Sequence, residues 1–224
     1  MAQIVLVLQP KPSSQQTVLS AHLATFLATA HQTALIDIEP QKHLLEMFVA
    51  HRHCFNLKHK QNLAVPAYFT YKKNILDEIP ASFDFVVSAA NNSQLLPSAD
   101  IVLTFVFNQS DINALTQKDS PFAQMLWQAK KERAKTGKNA FRHIIIPTVL
   151  LTDADINSLK GSASLMGYKT APYFKISPAY ADSFAQGLTV CDKDTSCLLK
   201  SFTAADFFAR RNFQQILEFI WSDK

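Results

Sequence analysis

Glycine is scarce here: the 224 residues contain four. A loop that turns successive backbone N–H groups onto a phosphate relies on glycine for its dihedrals and its close approach. So few glycines leave little material for such a cradle. Cysteine is also sparse, with Cys54, Cys191 and Cys197 the full set. Three thiols build no disulfide framework, and the count fits a reducing compartment. Apolar runs are short, and none approaches the ~20 residues of a membrane span. No charged stretch precedes the first apolar run, so the expectation is no signal peptide and a cytoplasmic chain, with nucleoid association left open. Neither sign of charge dominates: the net charge is +4. That permits contact with nucleic acid or an acidic membrane surface without requiring it. There is no G-x-S-x-G elbow of an α/β-hydrolase. His51, His53, Cys54 and His59 crowd together, but their spacing matches no standard zinc pattern and no second Cys/His pair follows, so no metal site is predicted.

What is present is an ordinary globular composition, 48% hydrophobic and 18% charged. A chain of this length buries most of its apolar surface without staples. No internal repeat, low-complexity tract or linker breaks it, so residues 1–224 read as one domain. Short apolar runs at Ile4–Leu8, Thr33–Ile38, Phe83–Val87, Ile101–Phe107, Phe141–Leu151 and Tyr173–Ile176 read as strands. Between them lie helical patterns at Thr17–Ala30, Leu44–Val49, Pro121–Lys138 and Ala154–Met166, and Thr203–Trp221 closes the chain as an amphipathic helix. The segment NQSD, Asn108–Asp111, reads as a helix cap. This alternation predicts a three-layer α/β fold, a mostly parallel β-sheet with helices on both faces.

The segment QPKPSSQQTVLSAHL follows the first strand, and ALIDIEPQ ends the second. Strand, KPSSQQTV, helix, ALIDIEPQ resembles the ParA/MinD family of P-loop ATPases, in which a deviant Walker A loop, KGGxGK[ST][ST], opens the first helix and a DxD motif ends the second strand. On that pattern Lys11 falls on the leading lysine, Pro12, Ser13 and Gln15 replace the glycines, and Gln16 replaces the P-loop lysine. Thr17 keeps the magnesium-ligating hydroxyl. Asp37 and Glu39 fall on the two acids. SPFAQMLWQAKKERAKTGKNAFRHIIIPTVLL, GYKTAPYFKISPAYADSFAQGLTVCD and FTAADFFARRNFQQIL are similar to the later segments of the MipZ group of alphaproteobacterial division-site regulators. The resemblance spans nearly the whole chain. It implies an ATP-dependent face-to-face homodimer, nonspecific DNA binding, and partners of the ParB and FtsZ kinds.

The departures from the pattern weigh against catalysis. Pro12 removes one N–H and restricts Lys11 before it. Gln16 supplies no charge to the β- and γ-phosphates. Where the family carries its Walker B acid, this chain reads Ser88, Ala89, Ala90. Asp84 fits the acid before that strand. The nucleotide-binding remnant is Lys11, Ser13, Ser14, Gln15, Gln16, Thr17 and Val18, with Lys11, Asp37 and Glu39 on the family's catalytic positions. The expected function is a regulatory protein of cell division or DNA segregation with a degenerate site: a pseudo-ATPase without a cofactor. Two alternatives stand beside it: a divergent active ATPase using ATP and magnesium, and a non-catalytic dimerisation scaffold. Lys130, Lys131, Arg133, Lys135, Lys138 and Arg142, with Arg210 and Arg211, are candidates for contact with phosphate backbones.

Overall fold

The computed structural model describes residues 2–11, 13–38, 43–72, 74–89, 94–192 and 203–222. In chain order the elements are β1 (Gln3–Leu8), α1 (Ser14–Ala28), β2 (Thr33–Asp37), α2 (Leu44–His59), β3 (Ala67–Thr70), α3 (Ile75–Glu78), β4 (Phe85–Ala89), β5 (Ile101–Val106), α4 (Gln109–Thr116), α5 (Pro121–Lys135), β6 (Arg142–Pro147), α6 (Asp153–Leu165), β7 (Lys169–Thr170), α7 (Pro178–Ala185) and α8 (Ala204–Trp221). They form two compact units. The first holds Met1–Gln3, Ser14–Ala89 and Ser177–Arg211; the second holds Ile4–Ser13, Ala90–Ile176 and Asn212–Lys224.

In the first unit the strands lie in the order β3-β2-β4, all parallel. β2 is buried from Thr33 to Asp37, which is why its sequence, TALID, carries no polar alternation. α1 packs on β2 and β4 and against α2 and α7. It is buried around much of its circumference, and its face is made of small and medium side chains: Leu19, Ser20, Ala21, Leu23, Ala24 and Leu27. His22 lies inside this packing, its Nδ1 2.9 Å from the Val18 carbonyl oxygen and its ring 5.3 Å from that of Tyr180. The Tyr180 hydroxyl donates to the Ala209 carbonyl at 2.8 Å.

One ion pair holds α2 to the segment after α7. Arg52, fully buried, donates to both carboxylate oxygens of Asp192 at 2.7 and 2.9 Å, to the Gly187 carbonyl at 3.0 Å and to the Ala64 carbonyl at 2.5 Å. Gly187 makes this approach possible. It has φ +72°, and an added Cβ would stand 2.3 Å from the Arg52 backbone nitrogen.

The second unit carries the order β1-β5-β6-β7, again parallel, with Val5 opposite Ile101 and Val102 opposite His143. Val5, Leu6, Val7 and Leu8 are essentially sealed from water. Each such side chain contributes about 1.5–3 kcal/mol on burial. The helix starts are set by local hydrogen bonds. Asn108 caps α4 by accepting from the Asp111 N–H, Ser120 caps α5 ahead of Pro121, and Thr152 and Asp155 cap α6 reciprocally.

Most of the elements read from the sequence are present, with shifted ends. α2 runs on to His59, well beyond Val49. The reading of Tyr173–Ile176 as a strand is corrected. Only Phe174 forms a bridge there, to Thr148, and the paired strand is Lys169–Thr170. Aromatic and β-branched composition suggested the strand, but the ladder had already been used directly after Tyr168. Among the described residues no helix is long and apolar enough to cross a membrane.

Candidate functional site

The segment singled out in the sequence leaves the end of β1 in the second unit and enters α1 in the first. Gln9 is buried, and its Oε1 accepts the Ser13 hydroxyl, which closes the turn on itself. Lys11 is exposed, as are Ser13, Ser14 and Gln15, while Thr17 and Val18 are partly covered. Pro12 lies outside the described residues. Gln16, at the place where the resembled family has its P-loop lysine, is only 4% exposed. The Ser20 hydroxyl donates to the Gln16 carbonyl at 2.7 Å.

Asp37 and the end of β4 come together within the first unit, because β2 and β4 are in register as Ile36 to Ser88 and Asp37 to Ala89. Asp37 is buried and accepts the Tyr68 hydroxyl of β3 at 3.3 Å. Burial raises the Tyr68 phenol above its ordinary value, and the Asp37 charge adds to the effect. Ser88, aligned with the place where the resembled family carries its Walker B acid, is fully buried and donates to the Ile36 carbonyl at 3.0 Å. Glu39 and Ala90 lie outside the described residues. Asp84 is structural. Its carboxylate accepts the Gln32 N–H at 3.0 Å, and its carbonyl accepts the Gln3 N–H at 2.8 Å.

The basic residues divide by role. Lys131, Lys135, Lys138 and Arg211 are exposed. Arg133 turns inward, 5% exposed, donating to the carbonyls of Asn139 (2.8 Å) and Pro97 (3.0 Å) and lying 3.5 Å from Asp100. A guanidinium committed in this way is a strut of the second unit, not a surface group. Arg142 donates to the Ile220 carbonyl. Lys130 is partly covered, its Nζ 4.4 Å from the Tyr168 ring centroid and 5.6 Å from that of Phe141. Arg210 and Arg211 belong to the first unit and the α5 group to the second. Sequence reasoning saw the basic run but could not sort its members. A signal was available for Arg133: it falls on the helix face that carries Leu126 and Ala129, both buried.

The histidines near Cys54 all lie on α2. His51 Nδ1 is 2.9 Å from the Ala185 carbonyl oxygen, and the His59 ring is 4.4 Å from that of Phe55.

No protein-family model and no curated protein matches this sequence. Solved structures do match. Together with the parallel βαβ order they show the fold: a three-layer α/β arrangement of a parallel sheet with helices, like that of the ParA/MinD-type structures. Three solved structures illustrate the likeness. Apo McdA of Cyanothece matches with TM-score 0.62 and 14% identity, over 98% of this chain and 100% of that one. A plasmid partition protein of Borrelia burgdorferi B31, bound to AMPPNP, matches with TM-score 0.60 and 12% identity over 100% of both chains. The cell division protein MinD of Aquifex aeolicus matches with TM-score 0.53 and 14% identity, over 94% of this chain and 96% of that one. At these identities the likeness is one of fold.

Proposed function

We propose that the chain is a ParA/MinD-type regulator of cell division or DNA segregation, of the MipZ kind, whose nucleotide site is degenerate and which acts by binding protein partners. The observation that carries this reading is the state of Gln16. The resembled loop needs a cationic, reachable side chain at that position, and here a neutral amide stands on a buried residue. Ser88 supports the reading, because its hydroxyl is already engaged by the Ile36 carbonyl. Carboxylate, cradle and lysine each supply electrostatic stabilisation that the others do not replace. The fold neighbours support the regulatory setting, since one was solved as a MinC:MinD complex and others are partition proteins.

The test is titration of the full chain with a fluorescent ATP analogue and magnesium, followed by phosphate release. Under this reading affinity is weaker than about 1 mM, and release matches a protein-free control. Micromolar binding with steady turnover sinks it in favour of the divergent ATPase. That second reading is favoured by the Borrelia neighbour, which shares the fold over its whole length and carries AMPPNP. It would use Lys11, Thr17, Asp37 and Glu39.

Nonspecific DNA contact, if part of the function, falls to the exposed Lys131, Lys135 and Lys138. Charge removal at all three lowers affinity for duplex DNA at least about tenfold at low salt and flattens the salt dependence. Unchanged affinity makes this a solubility face. Light scattering with and without nucleotide decides between a monomer, a nucleotide-driven homodimer and a constitutive one.

A further inference from the structure

α4, α5 and α6 of the second unit border an open groove of about 1320 Å³. Single exposed apolar side chains are ordinary on a protein surface. Here they are gathered in one concavity. Trp127 is 60% exposed and Leu165 91% exposed, and both line the groove with Met125 and Met166. An apolar patch gathered in a hollow and rimmed by charge marks an interaction surface.

The second observation is a cation without an acid. Lys130 lines the same groove, half-covered, with its ammonium against the faces of Tyr168 and Phe141. Among the described residues no carboxylate stands within ion-pair distance of it. Burial alone holds this amine below the ordinary lysine range. The neighbour behind it is His143, 2% exposed, its ring 4.2 Å from that of Tyr168 and its Nε2 2.9 Å from the Thr104 hydroxyl. His143 gives no negative charge, and burial, followed by the Lys130 charge, pushes its pKa down to about 3. Lys118 lines the groove as well, and Lys131 Nζ lies 5.3 Å from the Trp127 ring centroid. Glu132 is the sole acid among the lining residues. The hollow is therefore apolar at its centre and net positive around it, with one half-covered ammonium seated against two aromatic faces.

A phosphate backbone does not complement that centre, because its charge is hydrated and regularly spaced and meets Trp127 and Leu165 with nothing apolar of its own. A helix laid between helices presents apolar anchors at i, i+3/i+4 and i+7 and carries acids on its flanks. We propose that this groove docks an acidic amphipathic helix of a partner protein, with its apolar side chains on Trp127, Leu165 and Met166 and a carboxylate on Lys130. The proposal does not rest on the nucleotide reading, and it withdraws Lys130 from the candidates for DNA contact.

Trp127 is one of two tryptophans, so the full chain carrying Trp221→Phe reports from the groove alone. The probes are three synthetic peptides of about 18 residues, five helical turns. They share one leucine stripe and carry Glu, Gln or Lys on both flanks. The Glu peptide shifts Trp127 emission to the blue with a Kd in the tens of micromolar, at least about tenfold tighter than the Gln peptide, and the Lys peptide does not bind. Leu165→Asp, a change at an exposed position that leaves the melting temperature in place, weakens the Glu peptide at least about tenfold. Lys130→Met brings the Glu and Gln peptides to within about twofold of each other. Equal affinity for all three peptides overturns the proposal, and so does silence with the Glu peptide up to about 1 mM. A response to a duplex DNA or to anionic vesicles, with none to the Glu peptide, also overturns it and makes the face a nucleic-acid or membrane surface.

Discussion

Two cations drawn away from water, one in each unit, behave oppositely. Arg52 spends its guanidinium fully: two bonds to Asp192 and two to backbone carbonyls, in a site closed to water. Lys130 spends its ammonium on ring faces, and no carboxylate of the described chain comes to it. A desolvated charge is costly unless it is paired. The first arrangement is a fastener between elements of one chain. The second is half of a contact. Each stands near a buried imidazole, His22 near Arg52 and Asp192, His143 near Lys130, and both rings are held neutral.

Acid breaks both regions at once. An unfolded imidazole takes up a proton at 6.5, whereas burial lowers folded His22 to about 4 and His143 to about 3. Between those values the unfolded chain binds more protons. Stability is therefore complete above pH 6.5 and declines as the pH falls toward the folded values. Denaturant melts at pH 7 and pH 4.5 differ by about 5 kcal/mol for the two groups together, taking ~1.36 kcal/mol per pKa unit. A flat profile across that window contradicts their burial as neutral rings.

Asp192→Asn strikes the fastener alone. Burial raises the Asp192 carboxyl, but hydrogen bonds and charge from Arg52, with Thr189, outweigh it and hold the group below the usual carboxylate range. Removing its charge leaves Arg52 sealed without a counterion, at a cost of about 4 kcal/mol. Replacing both partners by Leu and Met is far milder, and the difference in urea midpoints measures the stranded charge. Gly187→Ala is the next step down. The positive φ and the contact with the Arg52 backbone set a loss of about 2–3 kcal/mol, read by thermal melting. Lys130→Met is expected to change stability by less than about 0.5 kcal/mol in either direction, since no partner is orphaned. A loss as large as that of Asp192→Asn would show that Lys130 is a fastener too, and would erase the contrast.

How much of this could be read from the sequence depends on distance along the chain. TALID and IVLTFV were legible as buried strands because burial on both faces leaves unbroken apolar runs. β3 was missed: AYFT is short, only partly buried, and lies directly after Pro66. α7 was missed although Ser177-Pro178 carries a cap and an N1 proline, because eight residues are too few for periodicity to speak. At the candidate site, the missing glycines and the neutral Gln16 were visible from residue identity alone. That Asp37 holds Tyr68 and Ser88 holds Ile36 was not visible, since those partners are set by strand register. Arg52 and Asp192 are 140 residues apart, and no local pattern joins them. The Lys130 niche was hidden for the same reason, since Tyr168 lies far along the chain from α5, in the connection between α6 and β7.

The pairing of β1 with β5 has a consequence for how the chain is made. Val5 finds Ile101 only after the intervening segment has emerged. At ~5–20 residues per second, that leaves IVLVL without its β5 partner for roughly 5–20 s on the ribosome. During this interval a short, uncharged, β-prone stretch is available to any stray strand. The newborn chain therefore gains from whatever shelters this stretch until β5 has emerged.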